Sequence, residues 1–223
     1  MRLIHKLFFA LALCGVAASA SASADAPVVG REYLVLPEKQ NTDAGKKVEV
    51  TEFFSYACPH CNALEPTLAA WVKKNQAKVV FKRVHVAYNA GEVPLQRLYT
   101  TLEGMGVTEQ HHAKVFEAIH VKRTRLSSDE AILDWAEKAG LDRAKLTAAY
   151  RSFGTQARVN RANSQAQAYM IREWPTIAVD GRFMTSPHQV GSAVQPELSE
   201  AEGQAGVLKV MDHLVAKALA EKK

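Results

Sequence analysis

Two cysteines separated by two residues, in Cys58-Pro59-His60-Cys61, are the part of this sequence best equipped for chemistry. A structural disulfide there would close a loop of two intervening residues. Because crosslink stabilisation grows with loop length, it would constrain almost nothing. A zinc site there would have only part of the usual four-ligand set, and His85, His111, His112, His120, His188 and His213 show no spacing that supplies the remainder. A dithiol that cycles with its own disulfide needs nothing more. Redox chemistry is therefore the favoured reading, with a metal site at Cys58, His60 and Cys61 as its rival. No metal and no cofactor beyond the redox-active pair is expected.

The elements around the pair say how it would be positioned. Lys47 to Phe54 reads KVEVTEFF, whose period-two alternation and β-branched residues predict a strand. Val48, Val50, Glu52 and Phe54 then share one face. Glu52 is either a strand-edge acid with its tip in water or a buried carboxylate near the dithiol, a costly placement that marks functional sites. After Ser55, Tyr56 and Ala57, the residues Cys61, Leu64, Leu68 and Trp71 recur at helical spacing, so the pair opens a helix. Pro59 suits a first turn. Cys58 would sit among unpaired N–H groups at the positive end of the helix, which favour a thiolate. It is the expected exposed nucleophile, with Cys61 on the apolar stripe as the shielded resolving thiol. His60 either adds a stabilising charge or hydrogen bond to the thiolate or is an exposed spacer. Pro66 removes an N–H inside the helix, and a kink is expected there.

Further strands are predicted at 31–36 and at Lys78 to Val86. Helical periodicity follows in Leu95, Leu98, Tyr99, Leu102 and Met105. A second helix is expected from Thr108, as N-cap, to about His120, and a third from a Ser127/Glu130 capping box to Gly140. A fourth is expected from Asp142 to Phe153, ended by Gly154. Another helix carries Val159, Ala162, Ala166 and Tyr169. Thr176 to Val179 and Arg182 to Thr185 then form a hairpin about Asp180-Gly181, and Val207 to Ala218 closes with an amphipathic helix. This is an α/β order, β, β, α, β, then α, β, β, α, interrupted by a cluster of helices.

Arg2 and Lys6, the apolar run Leu7 to Ala18 and the small residues Ser19 to Ala24 read as a secretory leader. The run is too short for a bilayer span, which takes about 20 residues. Cleavage before Asp25 is expected, and Leu13 disfavours lipidation at Cys14. Of 223 residues, 48% are hydrophobic and 23% charged, which excludes disordered and collagenous chains. Losing Arg2 and Lys6 takes the formal charge from +5 to +3. The cluster Lys122, Arg123 and Arg125 lacks interleaved aromatics and reads as a solvated loop, so no nucleic-acid partner is expected. The His111, His112 pair and Lys222, Lys223 are read as solvated surface.

The run Glu52-Phe53-Phe54-Ser55-Tyr56-Ala57-Cys58-Pro59-His60-Cys61 resembles the active-site strand and helix start of the periplasmic thiol:disulfide interchange proteins of the DsbA type. The resemblance covers essentially the whole mature chain. It implies a thioredoxin fold with an inserted α-helical domain: leader 1–24, thioredoxin domain 25–89 and 155–223, insertion 90–154. It also implies that Cys58 attacks, Cys61 resolves, His60 stabilises the thiolate and Glu52 is the buried acid beneath the pair. His85 is similar to the family's third-strand histidine, which places Arg83 opposite the acid. Pro175 matches a cis-proline loop beside the dithiol, and Trp174, Pro175 and Thr176 form the candidate substrate-binding segment. Trp174 departs from the smaller aliphatic residue common in relatives and is otherwise read as a core aromatic.

The implied activity is a periplasmic dithiol oxidase, soluble after leader removal and expected to be a monomer. It would donate the Cys58–Cys61 disulfide to reduced, unfolded secreted proteins and be reoxidised by a membrane quinone-linked oxidase of the DsbB type. A reductase or isomerase on the same fold, a periplasmic metal carrier and a peptide-binding chaperone are the alternatives.

Overall fold

Residues 27–222 are described by a computed structural model, so the leader and the cleavage site lie outside the described residues. Strand β1 (Leu34–Val35) is followed by β2 (Val48–Phe54), helix α1 (Pro59–Asn75) and β3 (Val79–His85). Five helices come next: α2 (Val93–Gly104), α3 (Thr108–Phe116), α4 (Asp129–Lys138), α5 (Arg143–Tyr150) and α6 (Phe153–Ala168). The chain ends with β4 (Thr176–Val179), β5 (Phe183–Thr185), α7 (Pro187–Ser192) and α8 (Glu200–Glu221).

The five strands form one sheet in the order β1-β5-β4-β2-β3, parallel at β2–β3 and antiparallel elsewhere. β2 is central, and all seven of its residues are buried. Burial on both faces explains why its alternation understates how enclosed it is. Val48 and Val50 pack with Leu64, Leu68 and Trp71 of α1 and with Val207, Met211 and Leu214 of α8. Phe53, on the opposite face, meets Tyr169 and Ala178. The inserted helices enclose a second core of Leu98, Leu102, Phe116, Ile132, Leu133, Leu146 and Tyr150, continuous with Phe54, Tyr56 and Cys61. The two cores meet at the dithiol.

Local chemistry sets the boundaries, and it differs from expectation in several places. The strand expected over 31–36 pairs only at Leu34–Val35, opposite Met184 and Phe183. Thr108 is the first helical residue of α3; Val107 occupies the cap position without a side-chain bond, and a π-helical turn, Glu117–Val121, completes the segment. Ser128, not Ser127, caps α4 by accepting from the Ala131 N–H, which brings both Asp129 and Glu130 into the first turn, where acids suit the dipole. The fourth inserted helix stops at Tyr150, because Ser152 turns extended and caps a new helix through the Thr155 N–H at 3.1 Å. Gly154 therefore lies inside α6, and the 154/155 boundary falls within that helix. α1 runs through Pro66 without interruption. The hairpin forms as expected, with Asp180 and Gly181 both at positive φ, the requirement of a tight primed turn. α7 is an element the periodicity did not reveal. Lys122, Arg123 and Arg125 are exposed as expected, whereas Lys222 folds back onto the carbonyls of Gly45 and Lys47. Lys223 lies outside the described residues.

Candidate active site

β2 delivers the chain to the site and the Ser55-Tyr56-Ala57 turn aims it. Ser55 O accepts from the Cys58 N–H at 3.1 Å, and Ser55 Oγ donates to Glu92 at 2.9 Å. Tyr56 is clasped by three imidazoles. Its N–H donates to His85 Nε2 at 3.0 Å, its carbonyl lies 2.8 Å from His120 Nε2, and its hydroxyl lies 2.9 Å from His112 Nδ1. The first contact fixes the His85 tautomer with its proton on Nδ1, which has no partner. Complete burial, then the neighbouring His112, depress the His85 pKa to about 3, so this ring is neutral. His112 also meets Glu65 at 3.2 Å. His111 and His112 are both buried, against the reading of both as surface, and His112 is enclosed by Phe54, Tyr56 and Phe116.

Cys58 is the N-cap of α1, with extended φ and ψ, and its Sγ accepts the Cys61 N–H at 3.4 Å. Both cysteines are free thiols, Cys58 8% exposed and Cys61 fully enclosed. The Cys58 sulfur is consequently far less open than expected, because the Trp174 loop covers it and the Trp174 carbonyl faces Sγ at 3.5 Å. The thiol pKa falls to about 6, led by the hydrogen bond from Cys61 and helped by the backbone N–H groups of Cys61 and His60; the His60 charge contributes least. Burial drives the Cys61 pKa strongly upward, reinforced by Cys58. Two thiols three residues apart therefore differ sharply in acidity, the asymmetry a directional exchange requires.

Glu52 is 1% exposed. Arg83 Nε donates to it at 3.1 Å while Arg83 Nη2 reaches Glu65 at 2.9 Å. Burial raises the Glu52 pKa to about 8; Arg83 opposes this, and Glu65 and Cys58 add to it. Burial pushes Glu65 in the same direction, but the His112 hydrogen bond and Arg83 outweigh it and hold Glu65 low. One guanidinium is thus shared between two acids, and Glu52, the more deeply buried of them, keeps its proton near neutrality.

The Trp174-Pro175 peptide bond is cis, placing Pro175 and Thr176 at the head of β4. Thr176 Oγ1 donates to Glu173 O at 2.8 Å, and the half-buried Trp174 ring lies 6.0 Å from Tyr88. Beside them opens a groove of about 390 Å³ with an apolar floor from Trp174, Pro175, Pro187 and Leu198 and an acidic rim from Glu173, Glu197 and Glu200. The exposed His60 ring stands at its edge, Nδ1 2.7 Å from Glu200 Oε1.

All eight residues singled out by the sequence, Glu52, Cys58, Pro59, His60, Cys61, Trp174, Pro175 and Thr176, converge on one place. Four more residues frame it: His112 and His120 reach Tyr56 across 56 and 64 residues and Glu200 reaches His60 across 140, with no local signal to find them, whereas Glu65 lies one turn after Cys61 on the same helix and its position is a local signal. Among the described residues no group of three or more His, Cys, Asp or Glu side chains is arranged to hold a metal ion.

A mixed sheet flanked by α1 and α8, a Cys-X-X-Cys pair opening α1, a facing cis-proline and a helical insertion after β3 define a thioredoxin-fold dithiol protein. The comparisons with known proteins narrow that class. Residues 49–201 match the family model described as the DSBA-like thioredoxin domain. The chain is 40% identical over 207 residues to the thiol:disulfide interchange protein DsbA of Bordetella parapertussis, covering 91% of this chain and 94% of that protein. It is 35% identical over 216 residues to that of Burkholderia cepacia, covering 96% and 95%. The crystal structure of Pseudomonas aeruginosa DsbA superposes with a TM-score of 0.78 at 33% identity, over 90% of this chain and 99% of that one. This chain belongs to the DsbA family of thiol:disulfide oxidoreductases.

Proposed function

We propose that this protein oxidises pairs of thiols in exported proteins, donating the disulfide held by Cys58 and Cys61. A client thiolate attacks Cys58 Sγ, the Cys58–Cys61 bond breaks, and Cys61 leaves with the electron pair and takes up a proton. Glu52, protonated and so uncharged near neutrality, spares the departing Cys61 the repulsion that its ionised form would add. A second client thiolate then attacks the client sulfur of the mixed disulfide, Cys58 departs as a thiolate, and the client has lost two electrons to the protein. Trp174, Pro175 and Thr176 are proposed to receive the client backbone. The carbonyl of Trp174 faces Cys58 Sγ at 3.5 Å, and once Cys58 is in the disulfide the carbonyl has no S–H to accept from, which leaves it to a client N–H.

The observation that carries the oxidising direction is Cys58 at the helix cap with its pKa near 6. A stabilised thiolate is a good leaving group and a stable product, and both make the disulfide the better oxidant. The leader read from the sequence supports a periplasmic setting for the reaction, and a membrane oxidase of the DsbB type is proposed to restore the disulfide. No helix among the described residues is long and apolar enough to cross a membrane. The division into 25–89 with 155–223 and an insertion 90–154 is retained as the proposed organisation, the second boundary being carried by α6.

Iodoacetamide alkylation of the reduced protein tests the assignment. Cys58 reacts with a pH midpoint near 6 and Cys61 stays unmodified, while Cys58→Ser loses oxidation of a reduced peptide. Turnover retained by Cys58→Ser, or a reduction potential near thioredoxin's, about −270 mV, would overturn the oxidase reading.

A further inference from the structure

His60, in the dipeptide between the cysteines, has 61% of its side chain open. A ring so placed is ordinarily free to turn and is charged only part of the time near neutrality. Here it is held. Glu200 Oε1 accepts from Nδ1 at 2.7 Å across 140 residues of sequence, and the same oxygen accepts from Gln204 Nε2 at 3.1 Å. Glu200 is the first residue of α8, and a complete capping box, Ser199 with Glu202, fixes the turn that carries it. Since a carboxylate can only accept, the Nδ1 of His60 must carry its proton.

We propose that Glu200 is a positioning residue for the dithiol: it anchors the His60 ring and keeps it cationic beside Cys58, so the oxidising strength of the couple depends on the first turn of α8. The proposal rests on the oxidase reading given above. The groups facing His60 are Cys58 from its own helix, Glu200 and Gln204 from α8, and Glu173, His188 and Glu197 around the shared groove, whose wall has no lysine or arginine among the described residues. Glu200 is the strongest influence on the ring, by its hydrogen bond first, and raises its pKa. Glu200 has two opposed effects on the Cys58 thiolate. Its negative charge acting directly repels the thiolate and makes the disulfide a weaker oxidant. Its proton-holding effect on His60 attracts the thiolate and makes the disulfide a stronger one. The 2.7 Å contact makes the second path prevail while His60 would otherwise be losing its proton.

The two paths separate by pH and by a double-mutant cycle. Glu200→Gln keeps the shape and the capping box. At pH 7.5 the equilibrium constant of the variant with glutathione should show a disulfide about two- to fivefold less oxidising, the range for an exposed ion pair. At pH 5, where His60 is protonated in both proteins and the Cys58 thiolate is largely quenched, the two constants should coincide. In a His60→Ala background, Glu200→Gln should not weaken the oxidant at any pH. An NMR titration should place the His60 midpoint lower in Glu200→Gln, with an unchanged thermal midpoint of unfolding confirming an intact fold. No change at pH 7.5, a stronger oxidant there, or an equal loss in the His60→Ala background would overturn the proposal. A wild-type potential near that of thioredoxin would instead overturn the oxidase reading, and the difference between variant and wild type would still report on Glu200.

Discussion

Glu52→Gln should make the reduced protein more stable above pH 8 and leave it nearly unchanged at pH 5. Glu52 is 1% exposed, its one cationic partner, Arg83, is shared with Glu65, and burial raises its pKa from 4.5 to about 8. Between those values the folded chain keeps a proton that the unfolded chain has released. More protons on the folded side mean that stability falls as pH rises through this window, and above about 8 the loss is complete. At roughly 1.4 kcal/mol per pKa unit, the span sets a ceiling of about 5 kcal/mol. Relaxation around Arg83 lowers the expected gain to about 2 to 4 kcal/mol. Glutamine has the same shape and never ionises, so the variant escapes this loss. Chemical denaturation at intervals from pH 5 to 8.5, with both proteins held reduced, measures the difference directly. Cys58 and the other groups that titrate in this range are common to both proteins, so their contributions largely cancel. Parallel stability profiles would show that Arg83 already compensates an ionised Glu52, and the argument for a protonated acid beneath Cys61 would fail.

Two further perturbations test the supports of the site. His85→Phe removes the acceptor of the Tyr56 N–H and should cost about 1 to 3 kcal/mol by denaturation. It should also remove the part of the wild-type stability that is lost as pH falls from about 6.5 towards 3, since a folded pKa of about 3 keeps His85 deprotonated where the unfolded chain binds a proton; an unchanged acid limb would refute the assignment. Gly181→Ala places a Cβ 2.2 Å from the Gln40 carbonyl at φ +71, so the β4–β5 hairpin should lose more than about 1 kcal/mol, and an unaltered thermal midpoint would contradict this.

The sequence alone determined the elements whose signal is local. The alternation of 47–54, the apolar stripe of Leu64, Leu68 and Trp71, and the Asp180-Gly181 turn each follow from steric preference and side-chain period, which operate within a few residues. The dithiol, its place at a helix start and the division between Cys58 and Cys61 are of this kind, because the cap geometry that lowers the Cys58 pKa belongs to the same four residues. Helix ends were less legible where two candidate signals competed: Ser127 and Ser128 are adjacent, and a glycine such as Gly154 ends a helix only if no new cap precedes it. The tertiary structure decided how open each group is and which groups share it. Cys58 is covered by a loop 116 residues away. His111 and His112, polar and mid-helix, are indistinguishable by type from a solvated pair, and only tertiary packing buries them, His112 against Tyr56. Glu52 could be an edge acid or a buried one, and the answer came from β3 supplying Arg83 and α1 supplying Glu65 as a competitor. Desolvation and ion pairing depend on what lies within a few ångströms in space, and sequence distance carries almost none of that information.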